Sequence, residues 1–437
     1  MRISIMGIGS RGDIQPSLAL AQTLARRGHS IKVITHPCFA DLAAGRGFDF
    51  MPLATMEGGF AGLKRRKSSI KALRSINEFW DAIDPAKRYY LEWSRQFRDL
   101  AAGSDCVIGT VLAAFLAATM GKHWKIPFIQ AFFQPMMPTR AFPSIFLSNL
   151  PFELPRAYNR ISHQAVNQIL WSVLRPFARQ SLREVWRDDE TPWRSPIRPI
   201  GDPQRPTLMG FSRYVIPPPD DWDPSVEITG AWFLDRPDGW RPPDGLTAFI
   251  EDGPPPVYVG FGSMNVKDPA KIASIVLSAI AKTGSRAVIS AGWGGFRPTE
   301  LPSGVFAVED VPHDWLFPRM ASIVHHGGAG TTAAALRAGR PSVIIPFFAD
   351  QPYWASRLRD LGVAPAALSY RELNEAALTE AAARCLKDQD MRARAARLGK
   401  LIEAENGVER AADVVERIVR SAQPSSVGAS ISGCSGD

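Results

Sequence analysis

Short apolar runs alternate with amphipathic segments in two separate series along this chain, and a proline-rich stretch divides the two. In the first series Arg2–Met6, Ile31–Thr35, Asp105–Gly109 and Ile126–Phe132 read as strands, with helices from about Pro16 to Arg27 and Val111 to His123. Pro16 suits a first helical turn and Gly28 a helix exit. The second series places strands at Val257–Gly262, Arg286–Ser290, Ser322–His325 and Ser342–Pro346. Between and after them, Ala270–Lys282, Thr331–Ala338, Tyr353–Leu361, Glu372–Lys387, Met391–Ala404 and Val408–Arg420 read as helices. Successive parallel strands need a crossover, and a helix supplies it. The pattern predicts two doubly wound α/β domains, with ligands gathered beyond the carboxyl ends of their strands.

Prolines cluster at Pro217-Pro218-Pro219, Pro242-Pro243 and Pro254-Pro255-Pro256. The expected division is an N-terminal domain at 1–215, a linker at 216–255, a C-terminal domain at 256–407, a last helix at 408–421 and a disordered tail at 422–437. Within the linker, Val226–Ala231 is a strand candidate.

With 45% apolar and 22% charged residues, the chain is neither disordered, collagen-like nor a coiled coil. It has no uninterrupted apolar run of about 18 residues, so no membrane-spanning helix is expected, and Met1-Arg2 opens a strand rather than a signal peptide. Cys38, Cys106, Cys385 and Cys434 lack zinc-ligand or disulfide-scaffold spacing, which suits a cytoplasmic protein. The net charge is +8, yet acidic residues are interspersed and no nucleic-acid module accompanies the one dense basic cluster, Lys64 to Arg74. That cluster reads as a solvated face or as a patch for anionic lipid.

Gly7-Ile8-Gly9-Ser10-Arg11-Gly12 lies between a strand and a helix and spells a dinucleotide fingerprint, but no Asp or Glu closes the second strand to hold a ribose. The turn instead exposes Ser10 and Asp13 at the cleft. His325-His326-Gly327-Gly328-Ala329-Gly330-Thr331-Thr332 follows a strand and opens a helix. Its glycines let backbone N–H groups approach an anion, the helix terminus adds partial positive charge, and the Thr hydroxyls add donors. Asp350-Gln351 at a strand's carboxyl end suits bidentate hydrogen bonds to sugar hydroxyls, with a helix cap as the alternative. Gly262-Ser263 is either a turn or a second phosphate contact. Two D-x-D patterns, Asp221-Trp222-Asp223 and Asp388-Gln389-Asp390, lie outside any strand–loop setting, so no metal is expected, and no G-x-S-x-G elbow marks a serine hydrolase.

Gly9 to Pro16, Val311 to Phe317, His325 to Thr332 and Pro346 to Pro352 together resemble the sterol glucosyltransferase and antibiotic glycosyltransferase branch of the UDP-glycosyltransferase superfamily. The resemblance implies a GT-B fold, two Rossmann-like domains facing across a cleft, and an inverting transfer that uses no metal or other cofactor. It implies an N-terminal acceptor domain, a C-terminal domain holding a UDP-sugar, and a final helix that crosses back. By the same resemblance, His326 contacts the diphosphate, Gly328, Gly330, Thr331 and Thr332 line the cradle, Asp350 and Gln351 bond the sugar, and the Val311 main chain meets the base. Asp13 stands where the plant branch has its catalytic histidine and is the implied base, with Ser10 orienting the acceptor. Asp310 stands where that branch has a tryptophan stacked on uracil, and Ala334 where it has a ribose-binding glutamate.

The segment Ala131 to Phe152 is rich in Phe, Met and Pro and reads as a greasy acceptor pocket or lid, with Phe132, Phe133, Met136, Met137 and Phe142 as its contacts. The expected function is transfer of a hexose, glucose first, to a lipophilic hydroxyl such as a sterol, glycolipid or polyketide. The alternative is a catalytically silent nucleotide-sugar or lipid-binding module. Weak peripheral membrane contact is expected through Lys64–Arg74 and Phe142–Leu150.

Overall fold

The computed structural model describes residues 1–54, 89–148, 155–197, 205–262, 268–291 and 301–422. The tail after 422, Ser263 and the Lys64–Arg74 cluster lie outside the described residues.

Seven strands, β1 (Arg2–Met6), β2 (Ser30–Thr35), β3 (Asp49–Pro52), β4 (Cys106–Thr110), β5 (Phe128–Phe132), β6 (Thr207–Met209) and β7 (Val226–Ile228), form a sheet of order β3-β2-β1-β4-β5-β6-β7. Five more, β8 (Val257–Gly260), β9 (Ala287–Ser290), β10 (Val305–Val308), β11 (Ser322–His325) and β12 (Ser342–Ile344), form a second of order β10-β9-β8-β11-β12. Neighbouring strands pair in parallel, with Ile3 opposite both Ile31 and Cys106 in the first sheet and Val259 opposite Val324 in the second. Such sheets are covered on both faces, so their central strands read as continuous apolar runs.

The helices are α1 (Arg11–Arg26), α2 (Ala40–Ala43), α3 (89–100), α4 (Ala114–Trp124), α5 (Arg156–Ser181), α6 (Leu246–Glu251) and α7 (Pro269–Lys282). They continue with α8 (His313–Leu316), α9 (Ala329–Arg337), α10 (Gln351–Asp360), α11 (Glu375–Lys387), α12 (Gln389–Glu403) and α13 (Gly407–Ala422). In each sheet the order reverses between two strands, β1 and β4 in the first and β8 and β11 in the second. Both glycine motifs follow a strand at such a switch point, where two connections part and leave a crevice.

Three features depart from the sequence reading. The first helix begins at Arg11 rather than near Pro16, because extended Ser10 caps it and Asp13 reaches back to the Ser10 N–H. The strand candidate within the expected linker forms as β7, only three residues long, and it joins the first sheet at its edge rather than staying in a linker. The 26-residue α5 was not anticipated.

Chain end and chain start pack together. Ala411, Ala412, Val415, Ile418 and Val419 of α13 share a core with Leu18 and Leu24 of α1. At the rim Arg27 meets Asp413 at 2.7 Å, and His29 Nε2 lies 2.8 Å from Glu416 Oε1. Among the described residues no helix is long and apolar enough to cross a membrane.

Candidate active site

The two switch points open into one cleft of about 2250 Å³. On the N-terminal wall, the Asp13 Oδ2 accepts hydrogen bonds from the Ser10 N–H at 2.9 Å and the Ser10 hydroxyl at 3.0 Å. Ser10 therefore orients the carboxylate at the cleft wall. Gly9 makes this possible, since a Cβ there would sit 2.5 Å from Asp13 Oδ2. Burial raises the Asp13 carboxyl above its ordinary value, while the Ser10 N–H, the Ser10 hydroxyl and the Gln134 side chain favour the charged form.

On the facing wall, α9 opens at Ala329 after the turn His326-Gly327-Gly328. Gly327 has φ +88°, and a Cβ on Gly328 would stand 2.5 Å from His326 Nε2. The turn therefore folds back over the His326 ring. Burial pushes His326 down to about 4, so the imidazole is neutral at pH 7. Its Nδ1 and the Thr332 Oγ1 are buried without a hydrogen-bond partner. Unpaired buried polar atoms beside the free amides of a helix N-terminus are the arrangement an anion would satisfy. His325, whose separate role the sequence left open, shapes the turn: its Nδ1 accepts the Gly327 N–H at 3.0 Å.

Gly330 comes within van der Waals reach of Gly12, with 3.8 Å between a built Cβ and the Gly12 Cα, so the N-termini of α9 and α1 converge across the cleft. Beside them, Asp350 Oδ2 accepts the Trp354 indole N–H at 2.8 Å. Burial, and then the charge of Asp13, raise the Asp350 carboxyl to about 6, against the Trp354 hydrogen bond; Gln134 reaches this carboxylate as well. The two carboxylates thus feel each other from opposite domains. Gln351 is buried, and its Oε1 accepts the N–H of Phe347 at 2.7 Å and of Phe348 at 3.2 Å. It braces the loop in which Ala349 is held at φ +58°, a strained backbone for a residue with a Cβ.

Val311 lines the cleft, as do Asp310 and Ala334. Asp310 pairs with Arg11 at 2.9 Å, an ion pair between the domains that no local pattern announces. Of the acceptor contacts, Phe133 and Met136 line the cleft. Phe132 and Met137 are wholly buried core instead, and Phe142 packs between His163 and Tyr353, with ring centroids at 5.8 and 5.7 Å. The rest of the Phe142–Leu150 stretch, as far as it is described, is no exposed lipid-facing segment, because Ile145 and Phe146 are buried as well. Both D-x-D patterns carry structural duties. Asp221 accepts the Thr139 hydroxyl at 2.6 Å, Asp223 accepts the Ser225 N–H, and Asp388 caps α12.

The burial of Asp13 has a kinetic consequence. If Asp13 accepts a proton in the reaction, activity is lost as pH falls and protonates it. The acid limb of kcat should lie above the ordinary carboxylate value of 3.8, because burial raises the Asp13 carboxyl. The coupling shows in the titration of Asp350 itself: Asp13→Asn removes the neighbouring charge and should move the Asp350 carboxyl down from about 6, followed by NMR. An Asp350 titration unmoved by that change would mean that the two carboxyls titrate independently.

Comparison with known proteins places this geometry. Residues 3–143 match the glycosyltransferase family 28 N-terminal domain, and residues 276–420 the C-terminal domain of the erythromycin biosynthesis protein CIII-like family. A sterol 3-beta-glucosyltransferase of Arabidopsis thaliana is 32% identical over 433 residues, 95% of this chain and 68% of that one. A sterol 3-beta-glucosyltransferase of Leptosphaeria maculans is 34% identical over 432 residues, but the match spans only 29% of its length. Among solved structures, the calicheamicin glycosyltransferase CalG4 superposes with a TM-score of 0.67 at 22% identity, covering 97% of this chain and 99% of that one. The glycosyltransferase VinC, solved in complex with dTDP, superposes with a TM-score of 0.61 at 19% identity, covering 97% and 99%. These likenesses establish the GT-B fold.

Proposed function

The chain belongs to the sterol glucosyltransferase and antibiotic glycosyltransferase branch of the UDP-glycosyltransferase superfamily, and on that premise we propose that it moves a hexose from a UDP-sugar to a hydroxyl of an apolar acceptor. One observation carries the reading: Asp13 on one wall of the cleft faces the His326–Thr332 cradle on the other, with Phe133 and Met136 in the same cleft. The acceptor oxygen forms the new bond to the anomeric carbon while the bond from that carbon to the diphosphate breaks. The hydroxyl proton passes to Asp13. Amides of the first turn of α9 and His326 receive the charge that develops on the departing diphosphate. Attack opposite the leaving group in one displacement inverts the anomeric centre, and no step needs a metal.

Asp350 and Gln351 serve the hexose in this reading. Asp350→Ala should leave UDP affinity near wild type and flatten the preference among UDP-sugars, measured by competition calorimetry. An equal loss of affinity for UDP and UDP-glucose would make Asp350 a partner of Trp354 and nothing more. The function itself is tested by mass-spectrometric screening of sterols and other apolar alcohols with UDP-glucose, and with dTDP-glucose because VinC was solved with dTDP. Transfer to apolar alcohols only is the expected result. Donor binding without any transfer would sink it in favour of a silent binding module.

A further inference from the structure

Helix α5 carries four arginines and no acidic residue in its 26 positions. Its inner face holds the wall of the cleft. Asn159 Nδ2 donates to the Arg140 carbonyl at 3.0 Å, the Ser162 hydroxyl accepts the Ser144 N–H at 2.9 Å, and Asn167 Nδ2 donates to the Met136 carbonyl at 3.3 Å. Val166 and Leu170 complete that contact, packed in the core that contains Met136 and Phe146.

The outer face is unusual. Of the six large apolar side chains that are exposed among the described residues, four lie here: Trp193 at 72%, Tyr158 at 57%, Ile161 at 56% and Ile169 at 44%. The spacing of Tyr158, Ile161 and Ile169 puts them on one stripe of the helix. Trp193 is laid along α5 by Gln168, whose Nε2 donates to its carbonyl at 3.1 Å, and by the Arg175 guanidinium, 4.9 Å from its ring centroid. Among the described residues only Arg160 of the four arginines reaches a carboxylate, Asp221 at 3.8 Å.

We propose that this face of α5, with Trp193, is a docking surface for an anionic lipid bilayer. An amphipathic helix face binds a membrane when apolar side chains enter the headgroup boundary while cations meet anionic lipid. Tryptophan favours that boundary, and arginine stems lie along it with their charge in the headgroups. Charge decides against the other obvious occupant, a second copy of this chain. A two-fold contact would set Arg175 and Arg179, which lie on or beside the apolar stripe, against their own copies, with no carboxylate on α5 to answer them. Docking there would bring the wall that α5 holds next to the bilayer in which an apolar alcohol dissolves. That purpose rests on the proposed transfer, but the lipid contact does not.

The test is co-sedimentation of the full chain with vesicles of phosphatidylcholine alone and of phosphatidylcholine mixed with phosphatidylglycerol. The wild type should pellet with the mixed vesicles, about tenfold less with the neutral ones, and be released by high salt. Ile161→Glu combined with Trp193→Ser should abolish pelleting while leaving the melting temperature and the affinity for UDP unchanged. Pelleting of the variant at the wild-type level, or no pelleting of the wild type, overturns the proposal. A wild-type dimer in light scattering that the variant loses also overturns it, in favour of self-association. If the chain docks through this face yet transfers sugar to no acceptor, the transfer reading fails and the surface stands.

Discussion

Asp13→Asn should lower kcat by roughly 10²-fold or more, because a positioned general base contributes about 10²–10⁴-fold and an alcohol is too weak an acid to attack unaided. The structure refines the control. Asp13 also accepts the Ser10 N–H at the start of α1, so it caps the helix as well as facing the cleft. Asparagine retains an oxygen for that hydrogen bond and removes only the proton acceptor. Alanine removes both, and should additionally destabilise the fold by about 1 kcal/mol, the usual loss of a helix cap. The expected signature is a melting temperature near wild type for Asn, a lower one for Ala, and equally poor turnover in both. A fall in kcat of less than about fivefold for Asn would leave Asp13 as a cap and put the base elsewhere.

His326→Ala should weaken donor binding by about 1.5–3 kcal/mol, the range for a hydrogen bond to a charged group, which is about 10- to 100-fold in Kd. The ring is buried and neutral, and its Nδ1 has no hydrogen-bond partner among the described residues. A diphosphate would supply the missing acceptor, with Nδ1 as its donor in the matching tautomer. Removing the ring also opens a cavity under the Gly327-Gly328 turn. His326→Gln, which fills more of the space and keeps a donor, should recover part of the affinity. Titration calorimetry with UDP decides: a Kd unchanged in the alanine variant would reduce His326 to a packing residue.

How much of this was legible beforehand differs by length scale. The two strand–helix series and both glycine turns were readable because each is a local signal, a periodicity or a turn chemistry within some ten residues. His326, Asp13 and Asp350 could be singled out for the same reason, each being adjacent to such a turn. That β7, a strand candidate within the expected linker, completes the first sheet beside β6 was not readable, since sheet membership depends on pairing in space. Nor was the sorting of Phe132 from Phe133 and of Met137 from Met136: all four are apolar and buried, and only the tertiary packing brings Phe133 and Met136 to the cleft as well.

By itself, then, the sequence determined the α/β class, the two strand–helix series, the glycine turn before α9 and the carboxylate beside the first glycine turn, because hydrophobic periodicity and glycine turn chemistry act over a few residues. Only the tertiary structure decided that Asp13 raises the titration of Asp350, that Arg11 pairs with Asp310, and that α5 leaves an apolar stripe exposed beside Arg175 and Arg179. The physical reason is that electrostatic coupling and burial depend on distance in space, and these partners stand hundreds of residues apart or, on α5, depend on what other segments leave bare.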